Sequence, residues 1–214
     1  MENVHAGWRR KLMKYIADTV DFQLEEPTVV TLGKFDGRHR GHQKLLHTME
    51  ELKETLGYAT AIFTFSTAPL SLVTGEAATV ITTSEERRHN MEKMGIDYLV
   101  EYPFTDDVRK MDPSVFVKDI LVKRMRAKAM VVGPDCSFGY KGAGNVELLR
   151  SLSKELGFEL HVIQKEKDHR RDISSTYIRE ELSLGNVAKA NELLGEPYAI
   201  HGIVVHGNHI GGPR

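Results

Sequence analysis

Gly33-Lys34-Phe35-Asp36-Gly37-Arg38-His39-Arg40-Gly41-His42 packs three glycines, three basic side chains and two histidines three residues apart into ten positions. Glycines let a backbone approach a ligand closely. A β-branched run, Thr28 to Leu32, precedes the string, and a helical pattern follows it, with Leu45, Leu46, Met49, Leu52 and Leu56 on one face up to Gly57. The spacing therefore predicts strand, turn and helix. Free N–H groups and the positive dipole end of that helix would face whatever the turn holds. Lys34, Arg38 and Arg40 add charge, and two ring nitrogens can meet one anion. The set suits a polyphosphate whose charge grows in a transition state.

Other readings of these residues are weaker. A pair of histidines in a loop is by itself an ordinary surface feature. A zinc site built on His39, His42 and His47 lacks a cysteine or acidic ligand at sensible spacing. No Gly run, Gly139 to Gly144 included, ends in the GK[ST] of a Walker A loop. A second element carries anion chemistry of its own: in Ile173-Ser174-Ser175-Thr176-Tyr177-Ile178-Arg179, hydroxyls open a helix and an arginine follows one turn on. Alone, it reads equally well as a Ser/Thr cap beside a surface arginine.

The elements that must position these groups alternate. Strands are expected at 28–32, 58–65, 98–102, 129–132 and 158–163. Helices are expected after the turn, after the capping box Thr83-Ser84-Glu85-Glu86, after Asp112-Pro113 and through Leu148, Leu149, Leu152 and Leu156. The third of these should carry Val115, Phe116, Ile120 and Leu121 inward. Lys165 to Asp172 reads as an exposed charged connection, and Gly139 to Gly144 as a flexible lid or a surface turn. The order implies an α/β fold, a parallel sheet covered on both faces, with ligands beyond the C-terminal strand ends.

With 214 residues, the chain is long enough for one large domain and a small remainder at ~150 residues per domain. Net charge is −1, which argues against bulk electrostatic binding to nucleic acid or an anionic membrane. Cys136 is the single cysteine, so an intrachain disulfide is excluded and a reducing compartment fits. No signal-peptide-like run occurs, and no stretch approaches the ~18 apolar residues of a membrane span. The expectation is a cytoplasmic protein.

The turn resembles the HxGH signature of nucleotidylyltransferases. The fuller string GxFDGxHxGHQ, complete through Gln43, is similar to the bacterial bifunctional riboflavin kinase/FAD synthetase family. Ile173–Arg179 resembles the ISSTxIR motif of the same superfamily. Glu86-Arg87-Arg88 through Met94–Leu99 resembles its EKR…LGxDYLL segment, Val131–Gly139 its VVGxDFxFG loop and Leu193–Tyr198 its LLGxPY join. The resemblance runs from about Met13 to Gly211.

It implies a Rossmann-like parallel sheet of the HxGH nucleotidylyltransferase type and the reaction ATP + FMN giving FAD and pyrophosphate. His39, His42, Ser175, Thr176 and Arg179 would be catalytic. Gly33, Lys34, Phe35, Asp36, Gly37 and Gly41 would bind ATP. Phe65, Pro69, Asp135 and Phe138 would lie on the flavin side. Mg²⁺ would travel with ATP, and no protein metal cage is expected.

Three departures stand out: Thr64-Phe65-Ser66-Thr67-Ala68-Pro69 where the family reads TFxPHP, Cys136 where an aromatic is common, and Arg38 where a small apolar residue is usual. The family's GRxLGFPTAN motif is not found after Gly202. The implied layout is an extension at 1–12, an FMN adenylyltransferase domain at 13–196, and a mobile remnant strand of the riboflavin kinase β-barrel at 197–214. Riboflavin kinase activity is expected to be absent, with a separate riboflavin kinase as FMN source. The alternatives are a nucleotidylyltransferase for another phosphorylated acceptor, such as pantetheine phosphate, nicotinamide mononucleotide or glycerol phosphate, and an inactive nucleotide- or flavin-binding module.

Overall fold

The computed structural model describes residues 12–66 and 79–204. Six parallel strands form one sheet in the order β1-β4-β3-β2-β5-β6, with β1 at Lys14–Ala17, β2 at Thr28–Leu32, β3 at Ala59–Phe65, β4 at Tyr98–Tyr102, β5 at Ala127–Val132 and β6 at Glu159–Val162. β2 to β5 are the apolar runs and are almost wholly buried. Strands of this kind need cover on both faces. Helices α1 (Arg40–Leu56) and α2 (Ser84–Lys93) lie on one face, over Val29, Ile62, Leu99 and Val131. The other face holds Val30, Phe63, Val100 and Met130, under the helix of 113–124 and under α5 (Val146–Leu156). The chain leaves β2 toward β3 on one side and enters β5 on the other. The gap between the C-terminal ends of β2 and β5 is therefore the topological switch point where such sheets bind ligands.

The helix ends follow their sequence signals. Gly57 closes α1 in the left-handed region. Thr83 and Glu86 form a reciprocal capping box on α2. Asp112 caps a helix with Pro113 at its first position. A short helix, α3 (Asp106–Arg109), precedes it.

Three details differ from the sequence reading, and a fourth is narrowed to one of its alternatives. β1 was not expected. It is a four-residue edge strand with Lys14 and Tyr15 turned to solvent, so it shows no apolar run. The helix that starts at Pro113–Val115 (α4) passes into π-type pairing over Phe116–Arg124. The N–H of Met125 bonds the carbonyl of Ile120 there, five residues back. That pairing rotates the inward face: Val117 is buried with Phe116, Ile120 and Leu121, while Val115 is 43% exposed. Within the charged stretch 165–172, β7 (Lys167–Asp168) and β8 (Arg171–Asp172) pair as a small antiparallel hairpin. Gly139 to Gly144 forms a turn closed by the Phe138–Gly144 bridge and held to the carbonyl of Met111 by Tyr140 N–H.

After the hairpin, α6 (Ser175–Ser183) and α7 (Val187–Leu194) pack around Ile173, Ile178, Ala190 and Leu193. Residues 197–204 are in no helix or strand, and Ile200, Ile203 and Val204 are exposed. The extension expected at 1–12 falls almost entirely outside the described residues, as do Pro69 and positions 205–214 of the expected remnant strand. No helix among the described residues is long and apolar enough to cross a membrane.

Candidate active site

The turn between β2 and α1 is built by its own residues. Gly33 N–H donates to the carbonyl of Phe63, which extends the β2–β3 ladder by one bond. Lys34 is solvent-exposed, and its carbonyl accepts from Arg87. Phe35 then adopts φ 50°, unusual for a bulky residue, with its ring buried 4.7 Å from the His42 ring. Gly37 follows at φ 69°, where any Cβ would also meet Ile81 at 2.9 Å.

Asp36 is the hub of the site. One carboxylate oxygen accepts the N–H groups of Ile81 (2.7 Å) and Thr82 (3.1 Å), and the other accepts from Arg179 (2.6 Å). The Asp36 carbonyl accepts from Ser175 Oγ at 2.5 Å. Arg179 also reaches Thr176 Oγ1 at 3.3 Å. The residues read from sequence as two separate motifs, 33–42 and 173–179, are thus one cluster: the amino ends of α1 and α6 meet across Asp36. The Asp36 carboxylate is occupied by three protein donors, so it holds the turn against α6.

His39 and His42 stack at 3.7 Å between ring centres. His39 is the N-cap of α1, and its Nδ1 accepts the His42 N–H at 3.3 Å. His42 Nδ1 lies 2.9 Å from the Gly37 carbonyl. Burial pushes the His39 imidazole down to about 3, helped by the neighbouring His42. Burial likewise pushes His42 down to about 4, against the opposing pull of the Gly37 carbonyl and Asp36. Both rings are therefore neutral near pH 7 in the free protein.

That neutrality has a sign for stability. The folded rings refuse protons that the unfolded chain accepts near 6.5. Their contribution is full above that value and is lost as pH falls from 6.5 through about 4 toward 3. From pH 7 to pH 5 each ring should remove ~2 kcal/mol of folding stability. Urea unfolding of the wild type and of a His39→Asn/His42→Asn double variant measures this. The double variant should show the shallower pH dependence; equal slopes would mean that the rings are not buried neutral.

Gly41 has an ordinary helical backbone, so its reason lies in space. A Cβ there would stand 3.2 Å from the Cε1 and Nδ1 of His39. Gly41→Ala should strengthen the helix slightly and displace the His39 ring. The expected result is an unchanged or higher melting temperature with turnover down ~10-fold or more, the scale of a weakened transition-state contact. Unchanged turnover would remove the spacing argument.

Phe65 and Phe138 lie on the other face of the sheet. They belong to a row of packed rings, Phe65–Phe63–Phe116–Phe138, spaced 5.1 to 5.7 Å apart, the first two pairs edge-on and the last tilted. Asp135 is exposed and paired to Lys165 at 2.8 Å. Among the described residues no group of three or more His, Cys, Asp or Glu side chains could hold a metal ion.

Comparison with known proteins decides the family, for residues 21–177 match the FAD synthetase family. The chain belongs to the FAD synthetase family. The bifunctional riboflavin kinase/FMN adenylyltransferase of Escherichia coli K12 is 35% identical over 188 residues, covering 87% of this chain and 60% of that protein. The protein of the same name from Listeria monocytogenes is 32% identical over 195 residues, covering 90% and 62%. The chain therefore spans about 60% of the length of these curated relatives. A solved structure named macrolide-efflux protein, from Streptococcus pneumoniae, superimposes with a TM-score of 0.80 at 28% identity, over 92% of this chain and 64% of that one. Pantoate-β-alanine ligase from Francisella tularensis shares the fold, with a TM-score of 0.50 at 12% identity over 79% and 70%.

Within this FAD synthetase family member, two of the sequence departures have a visible setting. Arg38 forms a forked pair with Glu196, tying the turn to the end of α7. Gln43 adds to that tie by donating to the carbonyls of Arg38 (2.9 Å) and Leu194 (2.7 Å). Cys136 is half-buried against the aromatic face, and burial with the nearby Asp135 pushes its thiol up to about 12, which disfavours the thiolate.

Sequence reasoning missed several residues around the site. Thr82 accepts the Gly37 N–H at 3.1 Å. Arg87 pairs with buried Glu101, which also accepts from Tyr15 of the unforeseen β1 at 2.5 Å. Phe104 packs edge-on to Phe65 at 4.8 Å. Phe104 could have been found: it is an aromatic just past a strand's C-terminal end, where ligands bind. Arg87 and Glu101 carry no local signal of pairing.

Proposed function

We propose that these residues transfer the adenylyl group of ATP to FMN, giving FAD and pyrophosphate. The observation that carries the reading is the convergence of two helix amino ends and a stacked neutral imidazole pair at the switch point of the sheet. An FMN phosphate oxygen attacks the α-phosphorus of ATP in line. The new P–O bond forms as the bond to the bridging oxygen breaks and pyrophosphate leaves. The attacking phosphate is already ionised at pH 7, so no general base is required. The protein need only position two anions and stabilise the crowded charge.

In this reading His39 and His42 meet the α- and β-phosphates. Gly33, Lys34, Phe35, Gly37 and Gly41 shape the pocket that holds the adenylate. Ser175, Thr176 and Arg179 hold the triphosphate and the departing pyrophosphate, positioned through Asp36. Phe65, Pro69, Asp135 and Phe138 belong to the flavin side. Mg²⁺ arrives on ATP, and no step here is assigned to it.

The test is chromatography of flavins after incubation with ATP, Mg²⁺ and either FMN or riboflavin. FAD from FMN is the expected result. No FAD from FMN, in a folded sample that still binds ATP, would overturn the reading. The altered loop at Ser66 to Ala68 then favours a different phosphorylated acceptor, which an acceptor screen would reveal.

A further inference from the structure

The two histidines of the turn are not equivalent, because the backbone assigns each a different proton. His39 Nδ1 accepts an N–H, that of His42, so the proton of neutral His39 sits on Nε2. His42 Nδ1 faces a carbonyl, which can only accept, so the proton of neutral His42 sits on Nδ1 and its Nε2 is a bare lone pair. Of the two nitrogens left to face an anion, one is a donor and the other an acceptor. A phosphate oxygen beside the bare Nε2 of His42 is repelled unless that nitrogen gains a proton.

The rings cannot both be charged at 3.7 Å. Protonating His39 would set two hydrogens against each other at Nδ1 and break the cap of α1. Protonating His42 keeps its bond to Gly37 intact.

We propose, resting on the nucleotide site described above, that nucleotide binding at this turn takes up one proton from solvent and places it on His42. His39 remains a neutral Nε2–H donor, and His42 meets the phosphates as an imidazolium.

The surroundings are consistent with this. Asp36, from the turn, is the acidic group acting on His42. Arg179 reaches the site from α6 but is held on that same carboxylate. Of the turn's own cations, Arg38 is paired with Glu196 and Arg40 lies 3.9 Å from Glu166. Arg87, from α2, is engaged by Glu101 and the Lys34 carbonyl. Lys34 is solvent-exposed. The segment beside Gly37 contributes only amides and the Thr82 hydroxyl.

Imidazole ¹⁵N NMR of the whole chain, free and saturated with Mg²⁺-ATP without FMN at pH 7, reads each ring directly. In the free protein, His39 should show the Nε2–H tautomer and His42 the Nδ1–H tautomer. In the complex, His39 should be unchanged and His42 protonated on both nitrogens. Calorimetry in buffers of different ionisation enthalpy should then count about one proton taken up per nucleotide. A saturated complex with His42 still neutral on either nitrogen, or with His39 carrying the extra proton, overturns the proposal while leaving the nucleotide site standing. Absence of any ATP binding overturns the site reading and the proposal together.

Discussion

His42→Ala should lower turnover by ~10²-fold or more, the scale of a lost transition-state contact at a preorganised site. The effect should fall on kcat and somewhat more on kcat/KM, because the contact already formed with the bound nucleotide strengthens further as charge builds on the phosphates. The fold should survive. The His42 ring makes one bond to the Gly37 carbonyl and packs on Phe35 and His39. The α1 cap uses the backbone N–H of His42, which alanine retains. Circular dichroism and urea unfolding check the fold, and steady-state FAD formation checks the rate. A folded variant within a factor of two or three of wild-type turnover would remove His42 from the chemistry.

Asp36→Ala should be the most destabilising single change in the site. Three donors converge on this nearly buried carboxylate, and alanine leaves the N–H groups of Ile81 and Thr82 and the Arg179 guanidinium without it. Stranding such groups costs ~2–4 kcal/mol in all, with the Arg179 share reduced because that side chain reaches solvent. For a chain of this size that is a fall of about 5–12 °C in Tm. Asp36→Asn keeps one acceptor and should lose less. Both variants should also lose activity, since α6 would no longer be registered against the histidine turn. Thermal melts of the two variants beside wild type decide the matter. A melting temperature within about 1 °C of wild type for Asp36→Ala would mean that the carboxylate is not the hub of the cluster.

The two histidines, the capping box at Thr83 and Glu86, the proline start at Pro113 and the glycine stop at Gly57 were all legible in the chain, because each is a local rule acting over four or five residues. The central strands were legible for the same reason: buried parallel strands are continuous apolar runs. The edge strand β1 carried no such run, and π-type pairing over Phe116–Arg124 left no signal in the spacing.

Local patterning carries the inventory: an anion-suited turn, a second hydroxyl-and-arginine helix start, and the alternation that makes a covered parallel sheet. The packed fold sets how that inventory is wired. The Asp36 carboxylate pairs with Arg179, 143 residues later, and Arg38 finds Glu196 158 residues on. Glu101 joins Arg87 to Tyr15 across two strands of the sheet. Each histidine's proton is set by a backbone group at one end of a fold-dependent turn. The physical reason is range. Caps and periodicity act between neighbours along the chain, whereas charge pairing and desolvation act between groups that only the packed sheet brings within 3 Å and removes from water.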